Sequence, residues 1–131
     1  NRKLITNTVL CIHLDRFGRL WAGTEGGGLY LYNRNKGEFE EKTRAYSIPG
    51  DVIVSIEEDK SGNLWLGTIS GLVKLYVAAV GNDFSTHIYT SADGLQDNFI
   101  VNSSCSRNGE LFFGGHKGYN SFFPDKMVGT M

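Results

Sequence analysis

Residues 58–68 read EDKSGNLWLGT: an acidic pair, a polar turn centred on Gly62, Trp65 between two leucines, and a closing Gly67-Thr68. The same pattern stands at 14–24 as LDRFGRLWAGT and, more loosely, at 105–115 as CSRNGELFFGG. The turn glycines Gly18, Gly62 and Gly109 lie 44 and 47 residues apart, and Trp21, Trp65 and Phe112 keep the same two intervals. A fixed period of this length marks a repeat architecture, in which each unit buries its faces on its neighbours. The units also agree outside the motif. Asn7, Asp51 and Asn98 each stand two residues before an apolar Val9, Ile53 or Ile100, and GGGLYLY, SGLVKLY and KGYNSFF each supply a glycine and then a strand-like run.

Within a unit, short apolar runs rich in Val, Ile, Leu and aromatics alternate with Gly, Asn, Asp and Ser, which reads as β-structure throughout. The second unit is expected to hold strands at Ile53 to Glu58, Leu64 to Thr68, Leu72 to Val77 and Phe84 to Thr90, with a turn at Asp59 to Asn63. Four antiparallel strands in about 45 residues is the size of a β-propeller blade. The nearly unbroken apolar VIVSI (52–56) suits an innermost strand packed on both faces, and the charged EFEEKTR (38–44) an exposed outer one. The fold class is therefore all-β, three blades over about 4–47, 48–94 and 95–127, the last lacking room for a fourth strand.

These residues resemble the two-component regulator propeller repeats, whose unit runs acid, polar-Gly-Asn turn, Leu-Trp, aliphatic residue, Gly-Thr and Gly-Leu. EDKSGNLWLGTISGLVKLY (58–76) follows that pattern almost throughout; LDRFGRLWAGTEGGGLYLY (14–32) departs at Arg19 and Ala22, and the third unit at Phe112 and Gly115. GHKGYNSFFPDKM (115–127) is similar to the last blade of such sensor regions. The resemblance implies a periplasmic sensor piece of a hybrid two-component protein, in which oligosaccharides released from glycans are detected and the change is passed through an adjacent immunoglobulin-like domain to a histidine kinase. It implies no catalysis in this segment.

Composition narrows the alternatives. The 131 residues carry 13 basic and 14 acidic side chains, a net charge of -1, so no basic field gathers phosphates and nucleic acid is not expected as a partner. No run approaches the roughly 18 apolar residues that cross a bilayer. The chain opens at Asn1 rather than Met, which leaves room for a signal peptide, an anchor or whole domains upstream. Cys11 and Cys105 have no metal-ligand spacing and are read as small buried residues. His13, His87 and His116 stand isolated, so neither metal nor cofactor is expected. EGGGL (25–29) lacks the Lys-Ser/Thr of a phosphate loop and reads as a tight connection. SADGLQDN (91–98) lacks the ligand alternation of a calcium loop and reads as a link between blades. Ser103, Ser104 and Cys105 show no nucleophile elbow, and Glu57 and Glu58 flank a turn without a sign of convergence.

Trp21 and Trp65 recur at one position of every unit, which assigns them to packing between blades rather than to a sugar platform. A ligand is better sought on the rim, where the second-to-third-strand and inter-blade connections open on one face. That rim is expected to carry Glu25, Arg44, Tyr46, Ser70, Asp93, Gln96, Asp97, Asn98, His116 and Lys117, whose paired donors, acceptors and aromatic surface suit a saccharide. The alternatives are a propeller scaffold that docks another protein without a small ligand and, more remotely, a propeller lyase using a His and a Glu on the central channel. A ring of blades takes at least four, so three alone leave two apolar faces open. A longer sensor carrying this piece, and self-association of the piece, are both expected on that ground.

Overall fold

Each glycine-centred turn joins two antiparallel strands, and each repeat builds one sheet. The computed structural model describes residues 7–77, 84–93, 100–115 and 118–124. The first sheet holds β1 (Thr8–Leu14), β2 (Leu20–Glu25), β3 (Leu29–Asn33) and β4 (Glu38–Glu41) in that order. The second holds β5 (Ile53–Glu58), β6 (Leu64–Thr68), β7 (Gly71–Tyr76) and β8 (Ser85–Tyr89), again in chain order. The third holds β9 (Ile100–Cys105), β10 (Leu111–Gly115) and β11 (Gly118–Phe122). All pairs are antiparallel, as expected for propeller blades, and the last blade is one strand short among the described residues.

The first turn of each blade is built the same way. Gly18, Gly62 and Gly109 take φ of 83, 87 and 88°, a left-handed conformation that a side chain disfavours. Asp15 Oδ1 accepts from the backbone N–H of Phe17 and Arg19 at 2.9 and 2.8 Å, and Asp59 Oδ1 from Ser61 and Asn63 at 3.0 and 2.9 Å. The other carboxylate oxygen accepts from the indole: Trp21 Nε1 to Asp15 Oδ2 and Trp65 Nε1 to Asp59 Oδ2 are both 2.9 Å. In the third unit Ser106 replaces the acid, its Oγ accepting from Glu110 N at 3.0 Å, and Phe112 replaces the tryptophan, leaving no indole donor to satisfy. Acid and indole change together because each satisfies the other where both are buried.

The inner strand of each blade carries a register shift at one place: between Val9 and Cys11, between Ile53 and Ser55, and opposite Gly114/Gly115. Because of this bulge Ile53, Ile56 and Glu58 all face the first blade, while Ser55 and Glu57 face the third. One core lies between blades one and two, where Trp21, Leu29, Tyr46 and Ile48 meet Ile53, Ile56, Leu64, Leu66, Val73 and Leu75. The second lies between blades two and three, where Trp65, Leu72 and Tyr89 meet Ile100, Leu111 and Phe113. Both tryptophans are fully buried, Trp21 against Tyr46 and Phe84, Trp65 against Tyr89 and Phe122. The inter-blade assignment of the two indoles therefore holds.

Two expectations need correction. The outer strand read over 38–44 stops at Glu41, because the chain turns inward so that Thr43 Oγ1 can accept from Leu29 N at 3.0 Å and Tyr46 and Ile48 can enter the core. Cys105, read as buried, is exposed; it sits at the turn end of β9, beyond the packed centre of the junction. Cys11 is half-buried against Ile53, and burial pushes its thiol up to about 11.

Candidate functional site

Strand alternation puts the β2–β3 and β6–β7 connections and the links between blades at one end of the sheets, and the acid-headed turns at the other. At the first end, the glycine run of blade one docks onto the start of blade two. Gly26 N and Gly28 N both donate to the carbonyl of Asp51, at 2.9 and 2.8 Å, and Glu25 forms an isolated bridge with Val52. The amides that might have cradled a phosphate are thus spent on the neighbouring blade. Thr24 Oγ1 closes the connection by donating to Gly28 O at 2.9 Å and accepting from Gly27 N at 3.1 Å; Thr68 does the same with Gly71 O and Ser70 N, at 2.7 and 3.0 Å.

Of the expected rim residues, Glu25, Arg44 and Ser70 are exposed at this end, and a side chain on Gly50 would lie 3.2 Å from Ser70 Oγ, so the second-blade connection sits beside the inter-blade link. Asp93 is half-buried and engaged: its Oδ2 accepts from Thr90 N at 2.9 Å, capping the short 3-10 turn Ser91–Asp93. Tyr46 is not a rim residue. It is 7% exposed, with its ring 4.6 Å from Phe84 and 6.2 Å from Trp21, and burial pushes its hydroxyl up to about 12. Its position just after a run of charged residues hid this, since nothing local marks the point where the outer strand ends and the chain turns under the next blade. Gln96, Asp97, Asn98, His116 and Lys117 lie outside the described residues.

The opposite end holds a set of contacts not anticipated from the sequence. Glu58 of blade two takes His13 Nε2 and Arg16 Nε of blade one, each at 2.9 Å, and Arg16 N at 3.1 Å. Arg16 continues across the junction, donating to the backbone carbonyls of Asp59 (2.7 Å) and Lys60. Glu57 turns the other way and accepts from Ser103 Oγ of blade three at 2.6 Å. The two carboxylates thus serve opposite junctions, the arrangement of a clamp and not of an acid–base pair. Among the described residues, no group of three or more His, Cys, Asp or Glu is placed to hold a metal. The signal available in the sequence was the basic residue after each turn's first position: Arg16, Lys60 and Arg107.

Asp15 also sets a pH dependence. Burial raises its affinity for a proton, but the hydrogen bonds from Trp21 and Arg19 and the Arg19 charge outweigh that and hold the carboxyl below its ordinary 3.8. The folded carboxyl holds its proton less tightly than the unfolded one. The stability it contributes is therefore complete above the unfolded value of about 3.9 and drains away as pH falls through the lower folded value. Urea unfolding followed from pH 6 down to about pH 2 should show a loss of stability beginning near pH 4 that is reduced in Asp15→Asn. Equal acid sensitivity in the two proteins would assign the loss to other carboxylates.

The family model described as two component regulator propeller matches residues 3–26 and 47–70. The first two units are two-component regulator propeller repeats. Each match ends just past the Gly-Thr pair of its regulator-propeller unit, at the connection where Thr24 or Thr68 closes the turn. No match was found among curated proteins. Among solved structures, the chain is similar to the extracellular domain of BT3049, assigned to a hybrid two component system of B. thetaiotaomicron, with TM-score 0.75 and 24% identity over 95% of this chain and 17% of that one. It is also similar to the extracellular domain of BT4673, assigned to such a system in the same organism, with TM-score 0.67 and 18% identity over 98% of this chain and 20% of that one. A third is PorZ, a surface component of the type-IX secretion system of Porphyromonas gingivalis, with TM-score 0.65 and 18% identity over 91% of this chain and 18% of that one. The chain thus spans about a fifth or less of the length of these structures, and at these identities they establish the propeller-blade fold. No helix among the described residues is long and apolar enough to cross a membrane.

Proposed function

We propose that this chain is a non-catalytic part of the sensor propeller of a two-component signalling protein, working outside the cytoplasm. In this reading it detects, or relays the binding of, glycan-derived oligosaccharides toward a histidine kinase through an adjacent immunoglobulin-like domain. The observation that carries the reading is the pair of regulator-propeller repeats, supported by neighbours described as extracellular domains of such systems. The rim offers Glu25, Arg44 and Ser70, all exposed; the connection beside Glu25 is pinned to the next blade by Gly26 N and Gly28 N, and the segment holding Arg44 by its own turn hydrogen bonds. Polar groups on a rigid base suit a hydroxyl-rich ligand, because little order has to be gained on binding.

Thermal unfolding against a panel of glycan oligosaccharides tests this. A ligand at about 100 times its Kd adds about 2.7 kcal/mol, which raises the Tm of a domain this size by several degrees. One panel member should do so, with the shift diminished in Glu25→Ala and Arg44→Ala. A panel without any shift would remove direct binding by these blades. The PorZ likeness supports a second reading, a propeller surface that docks protein without a small ligand, since the same fold serves there in a secretion-system component.

A further inference from the structure

The first two repeats differ in the outer half of the sheet, on the face each turns toward the following blade. In blade two, Trp65 of β6, Lys74 of β7 and His87 of β8 form one cross-strand row on that face, and Tyr76 stands opposite Ser85 in the next. The matching row of blade one is Trp21, Leu31 and Glu40, with Leu31 packed on the core of its junction. A lysine thus stands where the repeat's own pattern calls for an aliphatic residue. A local break in an otherwise consistent pattern marks a position that serves something besides packing. Lys74 is half-buried, and its ammonium rests on two rings, Nζ lying 5.1 Å from the centre of Trp65 and 4.6 Å from that of Tyr76. Among the described residues it has no ion-pair partner. In blade one, by contrast, the charge in the row is already balanced: Glu40 takes Lys36 at 3.5 Å, Lys42 at 3.7 Å and Asn33 Nδ2 at 3.2 Å. A complete neighbouring blade does not close this strip. Leu31, Asn33, Glu38 and Glu40 of blade one face a blade with all four strands and are still only half-buried.

We propose that Lys74, with Tyr76, Ser85 and His87 around it, binds the carboxylate or sulfate group of an acidic saccharide on the outer flank of blade two. The choice of a saccharide rests on the sensor reading above; the choice of an anion rests on this face alone. The two rings attract the ammonium without neutralising it, so its full charge and its N–H donors stay available to an incoming anion. Tyr76 is 40% exposed and offers a sugar ring an apolar surface directly beside that charge. Ser85 is exposed, and His87 is half-buried with its ring 4.4 Å from that of Tyr89. Their hydroxyl and imidazole groups supply hydrogen bonds for the hydroxyls next to the acid. The place is separate from the rim, since it lies on the outer two strands and not on the connections that carry Glu25 and Ser70.

Titration calorimetry of the 131-residue chain with a galacturonate trimer, a sulfated galactose trimer and the neutral galactose trimer tests this. At least one acidic trimer should bind more tightly than the neutral one, and added salt should weaken it. Binding should also shift the tryptophan emission, because the anion approaches a charge 5.1 Å from the Trp65 ring. Lys74→Leu copies Leu31 of blade one, and Lys74→Gln keeps a polar stem over the rings; both should unfold cooperatively and bind the acidic trimer about 10-fold more weakly or worse. Acidic and neutral trimers of equal affinity overturn the proposal, as does undiminished binding by either folded Lys74 variant. A neutral oligosaccharide bound through Glu25 and Arg44, with neither acidic trimer bound, overturns the anion site and leaves the sensor reading standing.

Discussion

Replacing Trp65 by alanine should lower the free energy of unfolding by about 3–5 kcal/mol, the range for truncating a fully buried aromatic. The indole touches both Tyr89 of its own blade and Phe122 of the next, so the change opens a cavity at a junction and not merely within a sheet. It also strands Asp59 Oδ2, which is buried and otherwise accepts from Trp65 Nε1 at 2.9 Å. Trp65→Phe isolates that second effect: it keeps an aromatic ring and removes the donor, at a cost of about 1.5–3 kcal/mol for a hydrogen bond to a charged group. The third blade shows how the loss is relieved. Asp59→Ser combined with Trp65→Phe copies the Ser106 and Phe112 arrangement, and the double variant should be more stable than the sum of the single changes by about 0.5–3 kcal/mol. Urea denaturation of the wild type and these four variants, Asp59→Ser alone included, measures all of these. A Trp65→Ala protein of unchanged stability that had lost saccharide binding would falsify the packing assignment and return the indole to the ligand.

The second large effect is expected at Gly23. Its φ is not in the left-handed region; what requires glycine is the approach of blade two, since a Cβ would lie 2.6 Å from Cys11 Sγ, 2.8 Å from Ile53 Cγ2 and 2.9 Å from the Ile53 carbonyl oxygen. The thiol can rotate away, but the backbone carbonyl cannot move without shifting the inner strand of the next blade. Gly23→Val should therefore destabilise by about 1–3 kcal/mol or more, as overpacked cores do. Gly114→Val, at the same position of the last blade, where a Cβ meets nothing within 4 Å, should change the unfolding of the chain by less than about 0.5 kcal/mol, the usual range for surface substitutions. Thermal unfolding of both variants at concentrations below any self-association compares them directly. Equal destabilisation would mean that strand geometry, and not the neighbouring blade, demands these glycines.

Much of this was legible because repeats let one unit be read against another. The period, the turn glycines and the two tryptophans sufficed to set the strands of the second blade nearly to the residue: β5 and β6 fall where alternation and turn chemistry put them. What escaped were contacts that no local pattern encodes. Asp15 and Asp59 looked like turn formers, and their second role as indole acceptors follows only when the turn folds back over the strand it precedes. Tyr46 was expected on the rim because it stands in the connection between two blades, yet it lies under the next blade. The rim itself was placed by topology, and of its residues the exposed Glu25, Arg44 and Ser70 stand where a ligand could reach them, while Asp93 is occupied by its own turn.

The sequence by itself determined the blade: spacing and residue type specify strand, turn and repeat, because those depend on local conformation and on which faces must leave water. Only the tertiary structure decided the junctions. Whether a glycine is needed, whether an arginine is a ligand group or a clamp, and whether Glu57 and Glu58 meet or part depend on a bulge and on the distance to the next sheet. Those quantities arise between units about 45 residues apart, where packing and not local preference sets the geometry.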